Sequence, residues 1–280
     1  MSRPALSHLQ AVLYLLVSAL CWSSTGVLIK IIDLSSLSIT GARSLITVGV
    51  IAFLYRPPWL KLSRERVLTG LMLALSLFLY VASTKLTTAA NALFLMYTAP
   101  IYVVLAGKRV AGEQASRVDI LCMIIVLVGT ALVFADNLAL KHFWGNILGV
   151  LSGIFYGYYA LFVRKQKHDS PMTLTLLGHL FVCPLAAAML TEPLPNVFGI
   201  AALIFLGVIG TAVPYALQAR ALERATALEG TLIPTLEIAL LPIWAYLFIG
   251  ETIGGSAIAG AILIVLATIV FVAQKLLVNS

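Results

Sequence analysis

The sequence predicts an all-α polytopic membrane protein, with ten transmembrane helices arranged as two inverted five-helix repeats around a central cavity. Three observations predict it. Of the 280 residues 61% are hydrophobic and only 10% are charged, where a soluble domain would carry roughly a quarter charged residues, so lipid must be the solvent for most of the surface. A long stretch of the chain occurs twice: moving the sequence by 138 positions lays 88–135 over 226–273 without a gap. The basic residues, finally, alternate from connector to connector in a way that fixes the number and direction of the crossings.

In the overlay Thr88/Thr226, Ala89/Ala227, Gly112/Gly250, Glu113/Glu251, Ile120/Ile258, Ile124/Ile262, Thr130/Thr268 and Ala135/Ala273 are identical. Apolar segments resemble one another by composition, so the weight falls on the Gly-Glu pair, held in register between two apolar runs. The duplication divides the chain into a first repeat at 1–140 and a second at 141–280.

A bilayer core takes about 20 apolar residues of helix. Ten stretches fit: 10–30, 36–55, 67–86, 89–107, 117–135, 145–163, 171–190, 196–219, 225–248 and 254–274. Connections are short, so neighbours are antiparallel and no soluble domain has room to form. The first run follows Arg3, but no A-x-A cleavage site comes after it, and Leu20 before Cys21 does not suit lipoprotein processing. It is expected to stay as the first span.

Fourteen of the 18 basic residues fall on one side of this scheme: Arg3; Arg56, Lys61, Arg64 and Arg66; Lys108, Arg109 and Arg117; Arg164, Lys165 and Lys167; Arg220 and Arg224; and Lys275. The opposite connectors hold Lys30, Lys85 and Lys141, and Arg43 lies within the second span. The positive-inside rule therefore puts both termini in the cytoplasm of a cell whose inner membrane holds the protein. The net charge of +7 is a topological signal, and no nucleic-acid partner is expected. Five spans per repeat is an odd number, so the halves must sit upside down relative to each other. The connector 107–117 is basic while its repeat partner, 245–255, has no Lys or Arg, as an inverted pair requires.

Polar groups inside a bilayer cost free energy and turn towards the bundle interior. Helical spacing puts Ser36, Thr40, Arg43 and Thr47 on one face, and Ser18, Trp22 and Thr25 on another. Asn91, Thr98 and Tyr102 align in the fourth span, Thr211, Tyr215 and Gln218 in the eighth, and Glu237 with Trp244 in the ninth. With Tyr80 and Tyr97 as a further aromatic wall, these residues make a polar and aromatic lining for a cavity. Each has a plainer alternative. The tyrosines and Trp22 can be packing, Arg43 either meets a substrate or gate or braces backbone carbonyls, and Glu237 is either a proton site or a structural hydrogen-bond partner. His179, beside Thr175 and Cys183, reads as structural. Glu113 and Glu251, near the starts of spans five and ten, read as carboxylates placed at helix N-termini.

Pro100, Pro184, Pro214, Pro234 and Pro242 lie within spans, where each removes a backbone donor and loosens the helix; Pro184 reads as a simple kink. Gly145, Gly149, Gly153 and Gly157 form a small-xxx-small ladder in the sixth span, a close-packing surface within the bundle ahead of a dimer seam, and a monomer is expected. Cys21, Cys122 and Cys183 read as small core residues, and the four histidines form no cluster, so no metal or cofactor is expected. Gly107-Lys108 lacks the upstream glycine of a phosphate loop, and no HExxH, GxSxG or paired-carboxylate motif occurs, which argues against direct drive by ATP and against an enzyme.

Ten spans, two inverted halves and the Gly-Glu after the fourth helix of each half resemble the drug/metabolite transporter superfamily. Trp22 in the first helix, Arg43 in the second and Leu236-Glu237 in the ninth resemble its EamA-type members, and the second half departs from their pattern at Ile238, where a proline is common. The resemblance implies a secondary transporter working by alternating access, in the manner of bacterial exporters of aromatic and other neutral amino acids, with protons as a coupling partner to consider. An exchanger of nucleotide sugars or phosphorylated metabolites is the alternative, though only Arg43 stands in mid-membrane to hold a phosphate. A membrane-embedded enzyme is the remote one.

Overall fold

The computed structural model describes residues 6–23, 25–55, 62–135, 142–166, 169–249 and 254–278. Among these residues the regular structure is all helical, without strands. The first crossing is made of α1 (His8–Trp22) and α2 (Thr25–Ile31), followed by α3 (Ser36–Tyr55) and α4 (Arg64–Leu86). The fourth crossing is again divided, into α5 (Ala89–Met96) and α6 (Ala99–Val110), and α7 (Arg117–Val133) ends the first half. The second half opens with α8 (Phe143–Lys165) and α9 (Pro171–Val182), the latter continued by a 3-10 stretch, Cys183–Thr191. Next come α10 (Val197–Gly207), a π turn at Val208–Ala212 and α11 (Val213–Ala221), then α12 (Ala227–Leu232), a 3-10 turn at Ile233–Thr235, α13 (Leu236–Ile249) and α14 (Gly255–Val278). Seven of these crossings are long and apolar enough among the described residues to span a bilayer, and His8–Trp22 is a shorter apolar helix.

The breaks have local causes. Pro100 stands in the first turn of α6, Pro214 in that of α11 and Pro234 in the 3-10 turn before α13, where the missing donor is harmless at a helix start and disruptive inside one. Pro184 opens a 3-10 stretch, so it does more than kink, whereas α13 runs through Pro242. The duplication is visible in the caps. Thr88 accepts from Asn91 N at 3.0 Å to start α5, and its repeat partner Thr226 accepts from Glu229 N at 3.2 Å to start α12; each short helix then ends in a break. Thr130 and Thr268, also repeat partners, both bond the carbonyl four residues back at 2.8 Å.

Packing follows the small residues. A Cβ on Gly153 would lie 2.7 Å from the Met96 carbonyl oxygen and one on Gly157 2.9 Å from that of Ala99. The glycine ladder of α8 is therefore a seat for the α5–α6 break. The fifth helices of the two halves cross at Gly129 and Gly260, where a Cβ on Gly260 would lie 2.4 Å from the Gly129 carbonyl oxygen. Phe53, Leu105, Trp144 and Ile269 are among the apolar side chains left exposed, as they should be where lipid is the solvent.

Contacts between basic and acidic side chains gather at one end. His8–Glu229, Arg66–Asp169, Arg164–Glu113, Lys165–Glu65, Arg220–Glu223 and Lys275–Asp119 all lie at the end of the bundle where α1 begins. At the other end Glu192 accepts from Ser35 Oγ and Ser38 Oγ, both at 2.6 Å, and from Ser35 N at 2.8 Å. The Ser35 and Ser38 hydroxyls hold its carboxyl below the usual carboxylate range, so it serves as an ionised cap on the start of α3. Arg3, Arg56, Lys61, Lys141 and Lys167 lie outside the described residues, as do Gly250 and Glu251.

Candidate functional site

The breaks converge on one interior space. Trp22 and Thr25 flank the α1–α2 break, Met96 and Tyr97 stand at the α5–α6 break, Gly210 is in the π turn, and Glu237 follows the 3-10 turn that opens α13. Arg43 of α3, Ser76 and Tyr80 of α4, Tyr156 of α8 and Tyr215 of α11 complete the walls. The space between these atoms is narrow, about 30 Å³, and anything larger than water needs side chains to move.

One guanidinium and one carboxyl group face this space. Arg43 is 4% exposed and Glu237 2%. The Nε of Arg43 and Oε2 of Glu237 are buried with no hydrogen-bond partner, and neither side chain takes part in an ion pair among the described residues. Polar groups buried without a partner are costly, and these two lie on the same cavity without pairing with each other. The Tyr97 hydroxyl stands within hydrogen-bonding reach of the Glu237 carboxyl and donates to the Pro234 carbonyl at 3.2 Å. That bond joins the break of one half to the break of the other.

The aromatic walls are fixed from behind. Trp22 and His179 meet the Tyr215 ring edge-on, with centroids 5.2 and 5.1 Å away, a favoured aromatic arrangement. His179 Nδ1 lies 3.2 Å from Ser44 Oγ, and the ring is fully buried. Gln218 donates to the Tyr156 hydroxyl and, at 2.8 Å, to the Gly230 carbonyl. Thr47 donates to the Gly207 carbonyl at 3.0 Å, beside the π turn and one helical turn along α3 from Arg43.

Among the residues expected from the sequence, Trp22, Arg43, Tyr80, Tyr97, Tyr215 and Glu237 line the space. Gln218 stands behind Tyr156, and Trp244 donates its indole N–H to Ser23 Oγ at 2.8 Å, next to the α1–α2 break. Asn91, Thr98 and Tyr102 lie elsewhere. Their alignment assumed one continuous helix, and the break at Tyr97 ends that register: Asn91 binds Asn146 at the start of α5, Thr98 donates to the Leu95 carbonyl at 2.7 Å, and Tyr102 packs near Gly157. Ser76, Met96, Tyr156 and Gly210 were not anticipated. Ser76 precedes Tyr80 by four residues, a spacing that could have flagged it. Glu113 also departs from expectation. Its carboxylate meets a helix start, but that of α12 in the other half, accepting from Ala227 N at 2.8 Å and from Arg164 Nε at 2.7 Å.

The profile of the EamA-like transporter family matches 9–135 and again 143–273. The chain belongs to that family. As an EamA-like transporter of the drug/metabolite superfamily it resembles, at 26% identity over 264 residues, an uncharacterized transporter of Archaeoglobus fulgidus, covering 89% of this chain and 94% of that one. It is also 26% identical over 233 residues to the threonine/homoserine exporter RhtA of Salmonella typhimurium, covering 79% of this chain and 76% of the exporter. A solved crystal structure, 19% identical, superposes with a TM-score of 0.80 over 96% of this chain and 99% of its own, which establishes the fold.

Proposed function

We propose that this protein is a secondary transporter that exports small amphipathic metabolites, amino acids of the aromatic and neutral kind, by alternating access. The observation that carries the reading is the pair Arg43 and Glu237, a buried guanidinium and a buried carboxyl group on one narrow cavity without an ion pair between them. A free amino acid carries both complementary charges. Its carboxylate suits the Arg43 guanidinium, its ammonium suits Glu237, and Trp22, Tyr80 and Tyr215 offer flat apolar walls to a side chain. A phosphorylated metabolite would instead need several cations, and Arg43 is the one Lys or Arg among the residues lining the space. The relation to a threonine/homoserine exporter supports the same substrate class. Glu237 is also the group able to carry a proton when no ammonium occupies the site. The halves 1–140 and 141–280 are the units that move in this reading, as a monomer in the inner membrane with both termini in the cytoplasm.

Counterflow of labelled amino acids in proteoliposomes tests it. Losing a charge-assisted contact costs roughly 1.5–3 kcal/mol, so Arg43→Gln and Glu237→Gln should each weaken binding of an accepted amino acid roughly tenfold or more. Counterflow of a nucleotide sugar and of no amino acid would overturn the substrate assignment.

A further inference from the structure

Two contacts at opposite ends of the bundle are images of one another. Near the start of α5, the Asn91 side-chain amide donates to Oδ1 of Asn146, near the start of α8. The same Asn91 amide also donates to Thr87 Oγ1 at 3.1 Å. Near the start of α12, a Glu229 carboxylate oxygen lies 2.8 Å from Nε2 of His8, the first residue of α1. Moving the sequence by 138 positions turns Asn91 into Glu229 and His8 into Asn146. Residues 8 and 146 lie outside the stretch that defines the duplication, so their agreement with its offset is independent of it.

Both contacts join one half to the other, and both do so in the same way. The short helix leading to a break (α5 or α12) is tied to the first helix of the opposite half (α8 or α1). The chemistry differs. The Asn pair is neutral, whereas Glu229 is fully buried and is bound through its second oxygen to Thr226 N at 2.8 Å and Thr226 Oγ1 at 2.9 Å. Both contacts are made at once here, and the cavity between them is narrow.

We propose that these are the two gate latches of the transport cycle. Asn91–Asn146 shuts the end where α5 and α8 begin, His8–Glu229 shuts the end where α1 and α12 begin, and each must part for its own end to open. The arrangement with both latches made is the occluded one. The alternating-access part of the proposed function underlies this inference, but its amino-acid substrate does not. A pseudo-two-fold relation makes the same motion that parts one latch close the other. At the His8–Glu229 end the Arg164–Glu113 ion pair and the hydrogen bond from Ala227 N to Glu113 add to the closure.

The test uses the full chain with Cys21, Cys122 and Cys183 replaced by alanine and a reporter cysteine at Ser76 in the cavity. Cysteine pairs Asn91→Cys/Asn146→Cys and His8→Cys/Glu229→Cys are cross-linked in vesicles, and a membrane-impermeant thiol reagent is applied to either face. Each cross-link should leave the reporter reactive from the opposite end alone, the two pairs giving opposite faces, and reduction should restore the uncross-linked pattern. The single variants Asn146→Ala and Glu229→Gln, which need no cross-link, should raise reporter reactivity at least severalfold from the end whose latch they weaken. Reporter reactivity that ignores which pair is cross-linked, or single variants that raise it from the wrong end or not at all, would overturn the proposal. The labelling needs no substrate. Absent amino-acid counterflow together with the predicted sidedness would therefore sink the substrate reading and leave the latches standing.

Discussion

Gly41 shows how much one residue can decide in this bundle. A Cβ built there would lie 1.9 Å from Ala186 N and 2.4 Å from the Leu185 carbonyl carbon, so α3 meets the 3-10 stretch of the opposite half backbone to backbone. Gly49, on the same helix, would meet nothing within 4 Å. Gly41→Ala should therefore lower stability by about 1–3 kcal/mol or more, as overpacking does, while Gly49→Ala should be neutral or slightly stabilising. Thermal unfolding in detergent separates the two, and equal effects would mean that α3 does not sit where it is described. The sequence alone could not have told these glycines apart, since both occupy apolar helix. Ionisable residues were more legible. Arg43 and Glu237 stand out because a charge in a bilayer span is costly, whereas Tyr156 was hidden among Tyr158 and Tyr159 on the same helix, where composition offers no reason to choose.

At the scale of elements, the positions of the helices followed from hydropathy and charge, but their continuity did not. The fourth span reads as one helix, and on that premise Asn91 shares a face with Tyr102. The break at Tyr97 turns the face, so Tyr97 and Met96 reach the cavity instead. Prolines were the visible signal, with mixed results: Pro100, Pro214 and Pro234 mark real interruptions, Pro242 does not interrupt α13, and the α1–α2 break has no proline at all. Whether the breaks matter to turnover can be measured at Pro234. Alanine there removes a residue that costs a helix interior about 3 kcal/mol. If as little as about 1.4 kcal/mol of that goes into straightening the crossing, turnover slows roughly tenfold. Pro234→Ala should thus raise the melting temperature while slowing counterflow, and a variant that transports at the parent rate would show that the 3-10 turn is packing alone.

For the molecule as a whole, the organising fact is that two halves of one ancestral pattern must face opposite ways, and charge is what tells the two ends apart. The five Lys/Arg–carboxylate pairs among the described residues and the His8–Glu229 contact sit at the end where α1 begins, whereas at the opposite end Lys30 and Lys85 donate to backbone carbonyls beside amides, hydroxyls and the Glu192 cap. Basic connectors were the feature that made this legible from the sequence, because a miscounted span would have mixed the two sets. They also make the orientation testable without any substrate. Leu62, just before α4 at the ion-paired end, is 66% exposed, and Leu194, between the 3-10 stretch and α10 at the other end, is 81% exposed. In a background without the native cysteines, Leu62→Cys should react with a membrane-impermeant thiol reagent only from the cytoplasmic face and Leu194→Cys only from the opposite face. Asn137, the natural outer position by sequence, lies outside the described residues, so Leu194 is the better probe. Labelling of both cysteines from one face would break the count of ten crossings. Labelling from the two faces in reverse order would keep the fold and turn the protein over, making the ion-paired end the outer one and exchanging which latch opens to the cytoplasm.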